Sequence, residues 1–288
     1  MIALKAAGLS AAALRRIYMY RFYWAIFINL IRIPHILSNL EKIARNKDKY
    51  TEEQKIKAIK KVIRLIRISI GVVTKVFGSE NIPPEGGYIM YSNHQGKWDA
   101  LGIFQAQQRL LSIVMDEAKS YVPLTRQIID ICDGKRLVLN DPRSGIKIIN
   151  EMAEEAAAGK PFLIFPEGGY NHNHNNLQEF KPGCFKASLK SKTPIVPVAL
   201  VDSYKAFEGI RIGIIRTEVH FLPPIYYEEY EGMRTQEIAE MVKQRIADRI
   251  AEVLCDRKTK RKDVRRGAFD FVFNKKDSKK ENETCTTK

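Results

Sequence analysis

Between residues 86 and 254, this chain of 288 residues alternates short apolar runs with stretches of helical character, and nothing else in it constrains the fold as strongly. Strands are predicted at 88–91, 111–115, 136–139, 162–165, 195–200 and 218–222. Helices are predicted at 99–109, 117–130, 144–158, 184–190 and 235–254. Strands interleaved with helices are covered on both faces, so the pattern specifies an α/β domain with a largely parallel mixed sheet flanked by helices. In such sheets ligands collect beyond the carboxyl ends of the strands. The residues that follow each strand are therefore where chemistry is to be sought.

Charge divides the chain differently. The 48 Lys and Arg exceed the 33 Asp and Glu by 15, but residues 1–77 carry +12, residues 78–254 carry −3 and residues 255–288 carry +6. The predicted organisation is a basic amphipathic helical platform over 1–77, the α/β domain over 78–254, and a basic, flexible tail over 255–288. Basic ends of this kind suit an anionic membrane surface or nucleic acid. Within the platform, 17–33 is aromatic and apolar, interrupted by Arg21 and Arg32, and stops at Pro34. Its longest uncharged run, 22–31, is ten residues. A bilayer-spanning helix needs about 20. The segment therefore reads as an interfacial helix, with rings at headgroup depth and arginines reaching phosphates. Next, Ile56, Ile59, Ile63, Ile66, Ile70, Val73 and Phe77 recur at alternating intervals of three and four, an apolar stripe flanked by lysines and arginines. A membrane surface or a partner helix suits such a stripe as well as an ordinary core does; the aromatic segment before it favours the membrane. The four cysteines lie far apart with no C-x-x-C, which excludes a disulfide scaffold or zinc module and fits a reducing compartment.

Two predicted strands run into distinctive residues. After the first comes Asn93-His94-Gln95-Gly96-Lys97-Trp98-Asp99. Five residues apart, His94 and Asp99 sit about 140° apart on a helix and on opposite faces of a strand. They meet only if a turn intervenes, which Gly96 favours, with Asp99 at the start of the following helix. A carboxylate so placed fixes the imidazole tautomer and makes the histidine a general base. After 162–165 comes Pro166-Glu167-Gly168-Gly169, a carboxylate with two glycines that allow close approach of a ligand. Phe180-Lys181-Pro182-Gly183 is a rigid turn presenting one lysine, and Pro197 interrupts a strand, which predicts an edge or a bulge. The polar run 171–176 contains His172 and His174, a spacing known in metal sites, but no further His or Cys lies near at ligand spacing.

In order and spacing, Asn93-His94 with Asp99, Phe165-Pro166-Glu167-Gly168 and Val196-Pro197-Val198 resemble the glycerolipid acyltransferase family, that of the 1-acylglycerol-3-phosphate O-acyltransferases, over about residues 80 to 225. The resemblance implies an α/β acyltransferase domain preceded by membrane-associated helices. It implies that His94, oriented by Asp99, takes the proton of an acceptor hydroxyl that attacks an acyl thioester directly; no G-x-S-x-G elbow is present to form an acyl-enzyme. Glu167, Gly168 and Gly169 would shape the acceptor pocket, with Asn93, Phe165, Pro166 and Pro197 around it and 171–176 as a polar loop above. The implied reaction carries an acyl group from acyl-coenzyme A or acyl-carrier protein to 1-acylglycerol-3-phosphate, giving phosphatidate in phospholipid biosynthesis, with no metal and no cofactor. The implied place is an anionic membrane surface, on the cytoplasmic face as a peripheral or monotopic protein, which disfavours nucleic acid as partner. The chain departs from the family pattern at Gly96, where serine is usual, and at Gly169 and Tyr170, where threonine and arginine are usual. It also lacks the family's phosphate-contacting arginine near 137–140, which leaves Lys181, Arg136 and Arg143 as substitutes, Lys181 foremost. That departure favours, as alternatives, another lysolipid, glycerol 3-phosphate or an aminolipid as acceptor. A non-enzymatic basic membrane- or RNA-binding protein on an inactive scaffold is the remaining alternative, and the presence of both His94 and Asp99 argues against it.

Overall fold

The computed structural model describes residues 20–208 and 213–283, with side chains to residue 259. The first and last parts of the predicted platform and tail, 1–19 and 284–288, lie outside the described residues. The chain forms two compact units, 1–247 and 248–288.

Two helices open the first unit, α1 (Tyr20–Ile28) and α2 (Arg32–Arg45), where one was predicted. Pro34 does not end a helix; it sits in the first turn of α2, where the backbone N–H it lacks has no partner to lose. The α2 face made by Ile36, Leu40 and Ile43 at intervals of four and three packs into the core. The following helix, α3 (Glu52–Ile70), starts from Thr51, whose hydroxyl accepts from Gln54 N at 3.3 Å while the Gln54 side chain accepts from Thr51 N at 2.9 Å. Gly71 stops it in the left-handed conformation, φ +63°, that glycine adopts without strain.

The stripe predicted from Ile56 to Phe77 is therefore two elements. Ile56, Ile59, Ile63 and Ile70 are buried on α3, but Val73 and Phe77 belong to a strand, β1 (Val72–Phe77). The stripe also faces the core and not a membrane, leaving Lys57, Lys61 and Arg64 in solvent. The strands that follow are β2 (Ile89–Ser92), β3 (Ser112–Asp116), β4 (Lys135–Leu137), β5 (Phe162–Ile164), β6 (Ile195–Val201) and β7 (Ile215–Phe221). Between them run α4 (Asp99–Phe104), α5 (Glu117–Ser120), α6 (Thr125–Ile131), α7 (Pro142–Ala157) and α8 (Lys186–Ser191). The helix predicted over 117–130 is two, because Pro123 and the left-handed Leu124, φ +74°, break it.

The seven strands are ordered β1-β7-β6-β2-β5-β3-β4, and every neighbouring pair is parallel except β6 and β7. β2 is central, and its residues 89–92 are all buried. Pro197 lies inside the sheet and not at an edge: β6 has β2 on one side and β7 on the other. Its missing N–H falls at the very end of the β6–β7 ladder, whose pairing begins at Val198, and its carbonyl still accepts from Leu222 N at 2.9 Å just past the end of β7. After the short α9 (Tyr227–Tyr230), α10 (Thr235–Glu283) buries Ile238, Val242 and Ile246 at intervals of four in the first unit. The second unit, in its described part, is the rest of this helix. The predicted stop at 254 is not observed, and helix runs to Glu283 where a flexible tail was predicted.

Two glycines test the packing. A Cβ at Gly87 would overlap the Ala156 carbonyl, whereas one at Gly145 in α7 would meet open space. Gly87→Ala should cost about 1–3 kcal/mol. Gly145→Ala should add about 0.5–1 kcal/mol through helix propensity. Urea unfolding of both variants checks the pair of signs.

Candidate active site

β2 ends at Ser92, and the chain leaves the sheet through Asn93 to Gly96 before α4 begins. Asn93 extends the strand pairing with its side chain: its amide donates to Leu200 O at 3.1 Å and its carbonyl accepts from Leu200 N at 2.7 Å on β6. With that anchor in place, the turn folds over the first residue of α4. Asp99 is wholly buried, and its Oδ2 accepts from His94 Nδ1 at 2.6 Å, from Gln95 N at 2.5 Å and from Gly96 N at 2.8 Å. Asp99 thus closes the turn behind it, in the manner of an aspartate bonding its neighbouring backbone. A buried carboxylate is costly unless so partnered. A carboxylate can only accept, so Nδ1 carries the hydrogen of this bond and His94 Nε2 is left as the basic nitrogen. His94 keeps about a fifth of its side chain exposed.

Rings hold the imidazole from two sides. Phe165 stacks on it at 4.3 Å between centroids, and Tyr170 meets it edge-on at 4.9 Å. Glu167, at the end of β5, braces the backbone: its Oε1 accepts from His94 N at 3.2 Å, and its Oε2 accepts from Gln178 Nε2 at 2.7 Å. Burial raises the Glu167 carboxyl above its ordinary range, against the lowering effect of those two bonds. Pro166 is buried beside it, and the Pro166 carbonyl accepts from Lys181 N at 2.9 Å. Gly168 has φ +73°, and a Cβ there would meet the Lys181 ammonium at 2.5 Å, so glycine leaves the space that the lysine chain crosses. Lys181 has no ion-pair partner among the described residues.

The structure thus brings His94, Asp99, Asn93, Phe165, Pro166, Glu167, Gly168, Gly169 and Lys181 together. Pro197 stays in the sheet, paired with Tyr91. Arg136 lies on β4, three strands or roughly 14 Å from β2. There its guanidinium pairs with Asp130 at 2.5 Å and lies over the Tyr121 ring. Arg143 is exposed in the first turn of α7. His172 and His174 both face Glu208, at 2.8 and 3.5 Å. Sequence reasoning missed Gln95 and Asn175. Buried Gln95 donates to Leu200 O at 2.8 Å and to Asn175 Oδ1 at 3.0 Å, and accepts from Ser203 N at 2.8 Å. Asn175 continues to Asp202, so one amide chain ties the His94–Asp99 turn to both neighbouring loops.

A buried carboxylate holding a histidine at the carboxyl end of a central strand, with a lysine alongside, can take a proton from a hydroxyl and hold an anion. The family model described as Acyltransferase matches residues 73–201, from the second residue of β1 to the last of β6. Over that segment the chain is similar to acyltransferases. Among similar proteins are the bovine 1-acyl-sn-glycerol-3-phosphate acyltransferase alpha from Bos taurus, 25% identical over 75% of this chain and 71% of the relative. Another is the 1-acyl-sn-glycerol-3-phosphate acyltransferase of Saccharomyces cerevisiae, 25% identical over 66% of this chain and 63% of the relative. The fold resembles the crystal structure of the 1-acyl-sn-glycerophosphate acyltransferase PlsC from Thermotoga maritima, with a TM-score of 0.67 and 20% identity over 83% of this chain and 97% of that one. The matched domain starts at β1, consistent with the first strand replacing the last turn of the predicted helical platform.

Two outcomes follow for the acyltransferase. Asp99→Asn, which keeps the shape and removes the charge, should lower kcat by about 10²–10⁴-fold with the fold intact. Because the folded state holds the Glu167 proton more tightly than the unfolded chain, its ionisation subtracts from stability as pH rises above the ordinary value of 4.5. The stability of the wild type relative to Glu167→Gln should therefore fall as pH rises through that window; denaturation at a series of pH values from 4 to 7 would show a flat difference if burial of Glu167 carries no such cost.

Proposed function

We propose that the chain transfers an acyl group from a thioester donor, acyl-coenzyme A or acyl-carrier protein, to the free hydroxyl of 1-acylglycerol-3-phosphate, forming phosphatidate. The observation that carries this reading is the buried Asp99–His94 pair beside Glu167 and Lys181. His94 Nε2 takes the acceptor's hydroxyl proton as the oxygen attacks the thioester carbonyl. The new C–O bond forms, the C–S bond breaks, and the imidazolium returns the proton to the departing thiolate. Asp99 stabilises that imidazolium. Lys181 supplies a charge for the acceptor phosphate, close to the base because Gly168 lets it cross. Arg136, being paired with Asp130, leaves Lys181 as the better placed of the two for that task.

The enzyme is proposed to work on the cytoplasmic face of an anionic membrane. No helix among the described residues is long and apolar enough to cross a bilayer. The elbow between α1 and α2 instead exposes Tyr23, Trp24, Phe27, Leu30 and Ile31, an aromatic and aliphatic surface costly to leave in water. Arg21 points away from that surface, donating to the Ile70 carbonyl and to Gly213 O, where the sequence suggested a headgroup contact. Phe22 joins the surface to the site: Lys97 of the catalytic turn lies 6.0 Å over its ring, and Phe207 meets it edge-on at 5.9 Å. A lipid acceptor is thereby offered to His94 from the layer in which it is dissolved.

His94→Ala should remove transfer to lysophosphatidate, and retained turnover would reject the base. Lys181→Ala should raise KM for lysophosphatidate more than for a phosphate-free monoacylglycerol; equal effects would reject the phosphate contact. Trp24→Ser with Phe27→Ser should reduce co-sedimentation with phosphatidylglycerol vesicles.

A further inference from the structure

Away from His94, α2 and α3 enclose a groove of about 530 Å³ that shares no residue with the site above. Its floor is apolar: Ile36, Leu40, Ala58, Val62, Leu65 and Ile68. Its rim is cationic, with Arg32, Lys61 and Arg64, and no Asp or Glu among the described residues lines it. Lys61 and Arg64 are exposed and have no carboxylate partner among the described residues. Two exposed cations over an apolar trough, with no acid to neutralise them, are arranged for a ligand that is anionic at one end and hydrocarbon along its length. A volume of this size is typical of a small-ligand site.

The groove's position selects the source of that ligand. Ile31 lines it and is itself 94% exposed, next to Leu30 and Phe27 on the apolar elbow, so the floor continues into the surface proposed to meet the bilayer. We infer that the α2–α3 groove seats one acyl chain of an anionic phospholipid of the bilayer, with its phosphate held by Arg32, Lys61 and Arg64. Chain burial removes Ile68, Ile31 and the hydrocarbon from water together. The phosphate takes charge-assisted hydrogen bonds from a guanidinium pair and an ammonium. The seat is a second lipid position, distinct from the acceptor's, and orients the platform by gripping one lipid instead of only floating on many.

The inference rests on the membrane placement proposed above, and its test reads bound lipid and not turnover. The full chain in dodecyl maltoside micelles is titrated with phosphatidylglycerol or phosphatidylcholine and examined by native mass spectrometry. One phosphatidylglycerol per chain should be retained, in preference to phosphatidylcholine. Lys61→Glu with Arg64→Glu, both on the surface, should weaken phosphatidylglycerol retention about tenfold or more, since each basic contact to an anionic headgroup contributes roughly fivefold. Ala58→Phe, which fills the floor, should abolish retention of either lipid. Equal retention of the two lipids by the wild type, or unchanged retention in the charge-reversed variant, overturns the seat. Vesicle co-sedimentation in parallel separates the two readings: a variant that sediments normally but holds no lipid leaves the elbow's membrane contact standing, and loss of both points to the platform as a whole.

Discussion

One buried oxygen organises the site. Asp99 Oδ2 accepts three hydrogen bonds at once, from the imidazole of His94 and from two consecutive backbone amides, while the Phe165 and Tyr170 rings hold the imidazole from outside the turn. The burial that makes this expensive also makes it effective, because a carboxylate screened from water holds its donors more strongly. The turn is bent to reach Asp99, the imidazole is committed to one tautomer by it, and in the proposed reaction the positive charge on His94 would find its counter-ion already in place.

The sheet's task is to hold that turn still. β2 is central and buried, and Asn93 and Gln95 fasten its exit to β6 and the loop after it through four hydrogen bonds between 2.7 and 3.1 Å, with a fifth from Gln95 to Asn175. Glu167 does the same from β5, taking the His94 amide. His94 and Asp99 are therefore held by rigid elements, whereas Gly168, Tyr170 and the 171–176 segment lie on the loop that follows β5. The helical platform packs its apolar faces into the same core, and α1 adds Arg21 on the end of α3 and Phe22 beneath Lys97, which join the exposed apolar surface to the polar site.

Much of this was legible in the sequence. The α/β alternation showed because its strands are short, rich in branched residues and separated by glycines and prolines, and the catalytic turn showed because His94, Gly96 and Asp99 leave few ways to meet. The failures have physical causes. Val73 and Phe77 fall by coincidence on the period of the α3 stripe, and only the left-handed Gly71 ends the helix before them. The proline of β6 looked like an edge because the rule concerns the lost N–H, and here that N–H would have faced the end of β7. Gln95 and Asn175 carry no local signal, since their partners are 105 and 80 residues away and an amide's value depends on what the fold places opposite it. Arg136 and Arg143 were grouped with the site as substitutes for the phosphate-contacting arginine that the resemblance implies, but β4 lies at the far edge of the sheet.

The central claim, that Asp99 commits His94 to carrying its proton on Nδ1 and presenting Nε2 as the base, is open to direct measurement. Nitrogen-15 spectra of histidine-labelled protein, with the His94 signal assigned by its loss in His94→Gln, report which ring nitrogen is protonated when the imidazole is neutral. The structure predicts a protonated Nδ1 and a bare Nε2 for His94. A neutral His94 protonated on Nε2 would contradict the assignment and, with it, the reading of this pair as a catalytic base.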